Sequence, residues 1–401
     1  MEFYRDIVST LLNGVDSEKG HAAARNALHL AELIPGGLKV VEVLGTPSHR
    51  RLNDPRLAVT LGKNVEPHLQ VKLDNRMILG AGWDKGGISA EAWIKALGAG
   101  GVEIGAVLAR PQIGNDKPRQ FYNPRGVALN RLGFNSPGMW EVVGNLTRYD
   151  GKGLPIGINV GINNDILPAH NDILPAQAPQ AFAEVVNCLY AFGSWFTINV
   201  SSPNTPDLRT LQDPKFLRDI DQAVLDTMRQ RGGIKPTYHK MAPVPDLSKD
   251  AIEEIVKVTR ENNLSGVVVA NSTSNESTKR LFGWEGQLGG VSGSYHQYRL
   301  DTTTQIAFIR HLVKGDPDFE IHGVGGINDF SSAQEKFQAG ADVLQLVTAV
   351  RQKGPGVIAE INESWVRWMD GRRIKTAEEL EDDKGSKTDY FRQMFTGLNK
   401  T

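Results

Sequence analysis

WFTINVSSPNTP, residues 195–206, begins as a strand and ends as a loop. Trp195 to Val200 alternates bulky apolar and β-compatible residues, and Ser201-Ser202-Pro203-Asn204-Thr205-Pro206 then breaks the run. From Asn199 to Asn204 the chain offers two amides and two hydroxyls, with Pro203 and Pro206 limiting backbone freedom nearby. Such a set can grip a small, flat, hydrogen-bonding molecule. Taken alone, Ser-Ser-Pro-Asn reads first as a capped turn before a helix, and its neighbours decide between the two.

Working outward, short apolar segments recur at Met77 to Ala81, Val102 to Ile104, Ile156 to Val160, Trp195 to Val200, Thr237 to Met241, Gly266 to Ala270, Glu320 to Val324 and Val343 to Val347. Between most of them lie stretches of helical periodicity, among them Ala90 to Leu97, Ala178 to Tyr190, Phe216 to Met228, Lys249 to Arg260, Thr304 to Val313 and Ser331 to Ala339. Eight strand-then-helix units predict an α/β fold, a (β/α)8 TIM barrel. A doubly wound open sheet is the alternative, but the first strand lacks the full dinucleotide glycine fingerprint after it.

The barrel spans residues 38–361 in this reading. Before it, residues 1–37 predict a helical hairpin broken at Asn13-Gly14, ended by Pro35-Gly36-Gly37 and followed by an irregular stretch to about residue 75. The hairpin is apolar enough either to touch lipid or to pack on the barrel. After the barrel, residues 362–401 predict a surface helix and a mobile tail, with a capping box at Thr376 to Glu379. Two excursions interrupt the barrel: Arg110 to Gly138, rich in amides and cations and placed to cover a ligand, and Asn163 to Ala178, which holds NDILPA twice.

Lys+Arg 45 against Asp+Glu 46 leaves a net charge of -1, so no global field recruits nucleic acid. The lone Cys188 excludes an intrachain disulfide and thiolate zinc clusters. No metal site is expected. Neither a signal peptide nor a window near the roughly 20 apolar residues of a membrane span is evident.

A barrel gathers its chemistry at the C-terminal ends of its strands. There this chain places Asp84 and Lys85, Gly105, Asn159, Asn199 with Ser202 and Asn204, Lys240, Asn271 and Ser272, the Gly323 to Gly326 run, and Thr348. A lysine in a barrel mouth needs an anion or an electron-rich partner to offset desolvation. Glycine turns at Gly325-Gly326 and Gly289 to Gly293 bring backbone N–H groups to a phosphate. Together these suit a phosphorylated planar cofactor.

NVSSPNT at 199–205 with LRTLQ at 208–212, AGWDKGG at 81–87, EIG at 103–105, GNDKPR at 114–119, NRLGFN at 130–135, GGVSG at 289–293 and GVGGI at 323–327 resemble the dihydroorotate dehydrogenase family. The likeness covers residues 3 to 358. The serine at 202 and the N-terminal hairpin resemble its membrane-associated, quinone-linked class. That resemblance implies FMN-dependent oxidation of dihydroorotate to orotate in pyrimidine biosynthesis, with electrons passed to a quinone. It implies Ser202 as the base at C5 while hydride passes to flavin N5, with Thr205 and Phe134 shaping its surroundings. Asn130, Asn199, Asn204, Asn271 and Ser272 would hold the substrate, and Lys85 would contact both flavin and substrate. Ala81, Gly82, Asn159, Asn199, Lys240, Gly290, Gly326, Val347 and Thr348 would bind FMN, Lys240 near N1 and O2, where positive charge stabilises the reduced ring. It further implies peripheral contact, through the N-terminal helices, with the cytoplasmic face of the inner membrane.

The quinone side departs from the family pattern. Phe121-Tyr122 stands where an arginine is usual, Val347 where a tyrosine is usual; Ala106, Ala270 and Ile162 also differ. His21 matches a family position lining the quinone passage. Two alternatives follow: a flavoenzyme of this fold using another acceptor or dihydropyrimidine, and a non-catalytic membrane-associated barrel.

Overall fold

A computed structural model describes residues 17–46, 53–123, 125–166, 177–203 and 208–398. An antiparallel pair, β1 (Val59–Leu61) and β2 (Val71–Leu73), comes first. Eight parallel strands then close into a barrel: β3 (Met77–Leu79), β4 (Gly101–Val107), β7 (Ile156–Val160), β8 (Trp195–Asn199), β9 (Thr237–Met241), β10 (Gly266–Val269), β12 (Glu320–Val324) and β13 (Val343–Leu346), with β13 pairing back onto β3. Between them, β5 (Gln120–Tyr122), β6 (Val127–Asn130) and β11 (Gly290–Gly293) form a separate antiparallel sheet. All eight predicted strands are present.

Period-two alternation sorts each barrel strand into an outward and an inward row. Val102, Ile104, Phe196, Ile198, Val267, Val269 and Leu344 face outward into one large core shared with the helices. Inward at the base, Ile78, Trp195, Tyr238, Val268 and Val343 pack with Leu61 and Leu73, so the β1–β2 pair plugs the bottom of the barrel. Trp195 fits only because its neighbours are small: a Cβ on Gly157 would lie 2.0 Å from the indole. Higher in the barrel the inward row turns polar. Glu103, Asn159, Thr197, His322 and Gln345 are all fully buried there.

Three segments differ from expectation. The excursion from 110 to 138 is not a plain loop: it contributes β5 and β6, and β6 pairs with β11 across the mouth. At the N-terminus the first predicted helix lies outside the described residues; the second runs Ser17–Leu33, and the stretch read as irregular forms a further helix, Gly37–Gly45. The turn between them sits at Gly36, φ 79, where a left-handed backbone suits glycine. At the C-terminus, described residues past 362 form helices that pack on the barrel. Helix Val357–Arg372 buries Trp365, Val366 and Met369. Thr376 caps helix Ala377–Glu381, but the Glu379 carboxylate takes the Lys375 N–H, so half of the expected capping box forms; helix Thr388–Leu398 stacks Phe395 on Phe308 with centroids 4.5 Å apart. The NDILPA duplication lies mostly outside the described residues.

Candidate active site

The upper rim of the barrel is tied together by one run of side-chain hydrogen bonds. Asn159 Nδ2 donates to Glu103 Oε1 at 2.9 Å, and Asn199 Nδ2 donates to Asn159 Oδ1 at 2.9 Å. Ser201 Oγ donates to Asn199 Oδ1 at 3.1 Å and accepts from Asn271 Nδ2 at 3.1 Å. Tyr298 closes the run by donating to the Asn271 carbonyl at 2.9 Å. Each amide therefore has its orientation dictated by its neighbours. Sequence reasoning misses Glu103 and Tyr298; the inward register of Glu103 is the available signal.

Beside this run lies a cavity of about 270 Å³. Of the residues expected to bind substrate or cofactor, it is lined by Ala81, Gly82, Asn130, Lys240, Asn271, Ser272, Gly326, Val347 and Thr348. Asn159, Asn199 and Ser202 are buried and do not line it. A Cβ on Gly290 would meet Ser272 Oγ at 2.1 Å and Pro203 Cγ at 2.6 Å, so β11 presses directly on the loop. Phe134 is buried with φ 51, a left-handed conformation uncommon outside glycine. Asn204 and Thr205 lie outside the described residues.

The two lysines behave differently. Lys85 is half-buried and donates to Asn135, 3.1 Å to its carbonyl and 2.5 Å to its side-chain oxygen. Burial, reinforced by the nearby Arg119, brings its pKa down to about 7. Lys240 is buried and its ammonium makes no hydrogen bond with the described residues; burial lowers its pKa, and the charge of Glu103 opposes that. Asp84 shapes the turn that carries Lys85, because its carboxylate accepts from the Gly87, Ile88 and Ser89 N–H groups and from Ser89 Oγ.

These features suit a flat phosphorylated ring. Ser272 Oγ and Gln345 Oε1 are buried on cavity-lining residues without a partner among the described residues, and a Cβ on Gly82 would point into open space. At the far end, Ser292 and Thr348 share a hydroxyl contact of 3.1 Å beside Gly325 and Gly326, φ 97 and 76. Lys240 supplies the cation. FMN therefore fits the donor set.

Helix Ser17–Leu33 forms the remaining wall with Gly20, His21, Ala24 and Leu28. His21 Nε2 bonds the Trp83 carbonyl at 2.6 Å, and burial lowers the imidazole pKa to about 4. On the outer side of the hairpin, Leu30, Leu33, Ile34, Val40, Val43 and Leu44 are exposed, Leu44 to 80%. No described helix is long and apolar enough to cross a membrane. On the same side of the cavity Arg351 stands over the Tyr122 ring at 5.4 Å, next to Val347.

A family profile described as Dihydroorotate dehydrogenase matches residues 66–369. A dihydroorotate dehydrogenase (quinone) from Synechococcus is 34% identical over 382 residues, 90% of this chain and 93% of the relative. One of the same name from Pseudoalteromonas translucida is 36% identical over 301 residues, 74% of this chain and 85% of the relative. In fold, a DHODH from Eimeria tenella crystallised with ferulenol superposes with a TM-score of 0.75 at 24% identity, covering 94% of this chain and 98% of that one. The chain belongs to the dihydroorotate dehydrogenase family of oxidoreductases.

Proposed function

We propose that this protein oxidises (S)-dihydroorotate to orotate in pyrimidine biosynthesis, binding FMN in the cavity and passing the electrons to a quinone at a membrane surface. The observation that carries this reading is Lys240: a buried cation with no hydrogen-bond acceptor among the described residues, on the cavity wall beside Ser272, Asn271 and Thr348. FMN supplies a two-electron acceptor for the hydride leaving C6. Ser202 takes the C5 proton as its own hydroxyl proton passes to a relay leading out of the site, and its burial keeps bulk water from competing. Asn130, Asn271 and Ser272 present amide and hydroxyl groups to the pyrimidine ring and carboxylate, while Asn199 holds Ser201 and so fixes the backbone entering Ser202. Gly326 and Thr348 receive the phosphate. Ala24 and Leu28 line the cavity from a helix whose opposite face exposes Leu30 and Leu33, and quinone enters along this helix pair, which rests on the cytoplasmic side of the inner membrane.

Purified protein should carry a yellow chromophore that dihydroorotate bleaches anaerobically and that ubiquinone or menaquinone restores. A protein that stays colourless after FMN is added would end this reading. Bleaching without reoxidation by either quinone would favour a second reading, another acceptor. Tyr122, Arg351 and Val347 on the acceptor side are the observation behind it.

A further inference from the structure

Glu103 is fully buried at the centre of the barrel, where other barrels of this class stack apolar layers. Its two oxygens receive four hydrogen bonds: Asn159 Nδ2 at 2.9 Å, Trp195 Nε1 at 3.3 Å, Thr197 Oγ1 at 3.0 Å and Gln345 Nε2 at 3.0 Å. Every partner donates and none accepts, which is the bonding pattern of an ionised carboxylate. A charge so far from water needs a counter-charge. Lys240 on β9 lies in register with Asn199, which Asn159 ties to Glu103 of β4, and burial lowers the Lys240 pKa while the charge of Glu103 opposes that. His322 Nδ1 faces Gln345 Nε2 at 3.2 Å and so accepts, leaving the ring neutral. The neighbouring strands add only neutral groups, Asn199 paired with Lys240 on one side and Val268 on the other.

We propose that Glu103 is the counter-charge that keeps Lys240 protonated in the desolvated mouth of the barrel and, through Lys240, sets the reduction potential of bound flavin. The inference rests on the FMN reading above. Glu103 is a positioning residue: it does not line the cavity, whereas Lys240 does. Removing the carboxylate should cost Lys240 its proton, and the loss of the nearer positive charge should make the flavin harder to reduce.

The test is the midpoint potential of bound FMN at pH 7 in the wild type, Glu103→Gln, Glu103→Asp, Lys240→Met and the Glu103→Gln/Lys240→Met double variant. Gln keeps the shape of Glu and removes its charge. A lower potential in Glu103→Gln, restored toward wild type in Glu103→Asp and absent as a difference between Lys240→Met and the double variant, is expected. An unchanged or higher potential in flavin-loaded Glu103→Gln overturns the proposal, as does a fall that persists in the Lys240→Met background. A second measurement needs neither flavin nor a folded Glu103 variant: the 13Cε shift of Lys240 titrated in wild-type protein, assigned by its loss in Lys240→Met. Lys240 should be an ammonium at pH 7, and a neutral amine there would overturn the pairing. Wild-type protein that binds no FMN fails the functional reading instead, and this titration still decides the pairing.

Discussion

Glu18 and Arg119, 101 residues apart, form a two-pronged ion pair, with Arg119 Nη2 and Nε donating to the carboxylate at 2.6 and 3.0 Å. The same guanidinium holds the Ile113 and Asn115 carbonyls. One contact thus joins the N-terminal helix to the loop that carries Asn130 and the Lys85 partner Asn135. Glu18→Gln leaves a buried Arg119 without its counter-charge, at a cost of about 1–3 kcal/mol. Melting temperature should fall, and KM for dihydroorotate should rise more than kcat falls. A variant with unchanged KM would show that the helix and the loop act independently.

Ser202→Ala should retain FMN and orotate binding while the rate of flavin reduction by dihydroorotate drops by about 10²–10⁴-fold. Stopped-flow absorbance reads this directly, and near-normal reduction would remove Ser202 from its role as base.

Lys85 gives a pH dependence of defined sign. Its pKa in the folded chain is about 7, below the ordinary lysine value, so between the two the unfolded chain binds more protons. The penalty for burying the ammonium is therefore full below pH 7 and is relieved as pH rises above it. Lys85→Met should raise the melting temperature of the FMN-free protein most at pH 6, with the gain shrinking toward pH 9. Thermal denaturation across that range checks it; a gain that grows with pH would reverse the assignment.

Arg351 stands over Tyr122 on the acceptor side of the cavity. Arg351→Gln should leave anaerobic bleaching by dihydroorotate within about threefold of wild type and slow reoxidation by quinone by about tenfold or more, a loss of ~1.4 kcal/mol in that step. Equal slowing of both half-reactions would place Arg351 at the flavin instead.

Phe395 is buried and stacked on Phe308. Phe395→Ala should destabilise the protein by about 3–5 kcal/mol, measured by denaturant unfolding. A loss below about 1 kcal/mol would mean that the last described helix adds little to the fold.

The barrel was legible in the sequence because buried parallel strands are continuous apolar runs separated by helical periods. β5 and β6 were not, because QFY and VALN are short and sit among prolines, asparagines and arginines that signal loop. Helix Met139–Leu146 follows Pro137-Gly138 and was hidden by that turn signal. The C-terminal helices were obscured by EELEDDKGSK, whose charges read as solvated; the apolar spacing of Phe391 and Phe395 was the overlooked sign. In the site, Lys240, Asn271, Ser272 and Thr348 were visible as strand-end groups. Glu103 appeared only inside a motif, because spacing along one strand does not say which other strands will aim donors at it. The roles of Asn204 and Thr205 rest on resemblance.

The pairing of β13 with β3 is where the first and last strands of the barrel meet. Ala81 and Gly82 follow one side of that seam, Val347 and Thr348 the other, and all four line the same cavity. A ligand lodged there acts as a rivet through the seam. Its binding free energy adds to the stability of the closed ring.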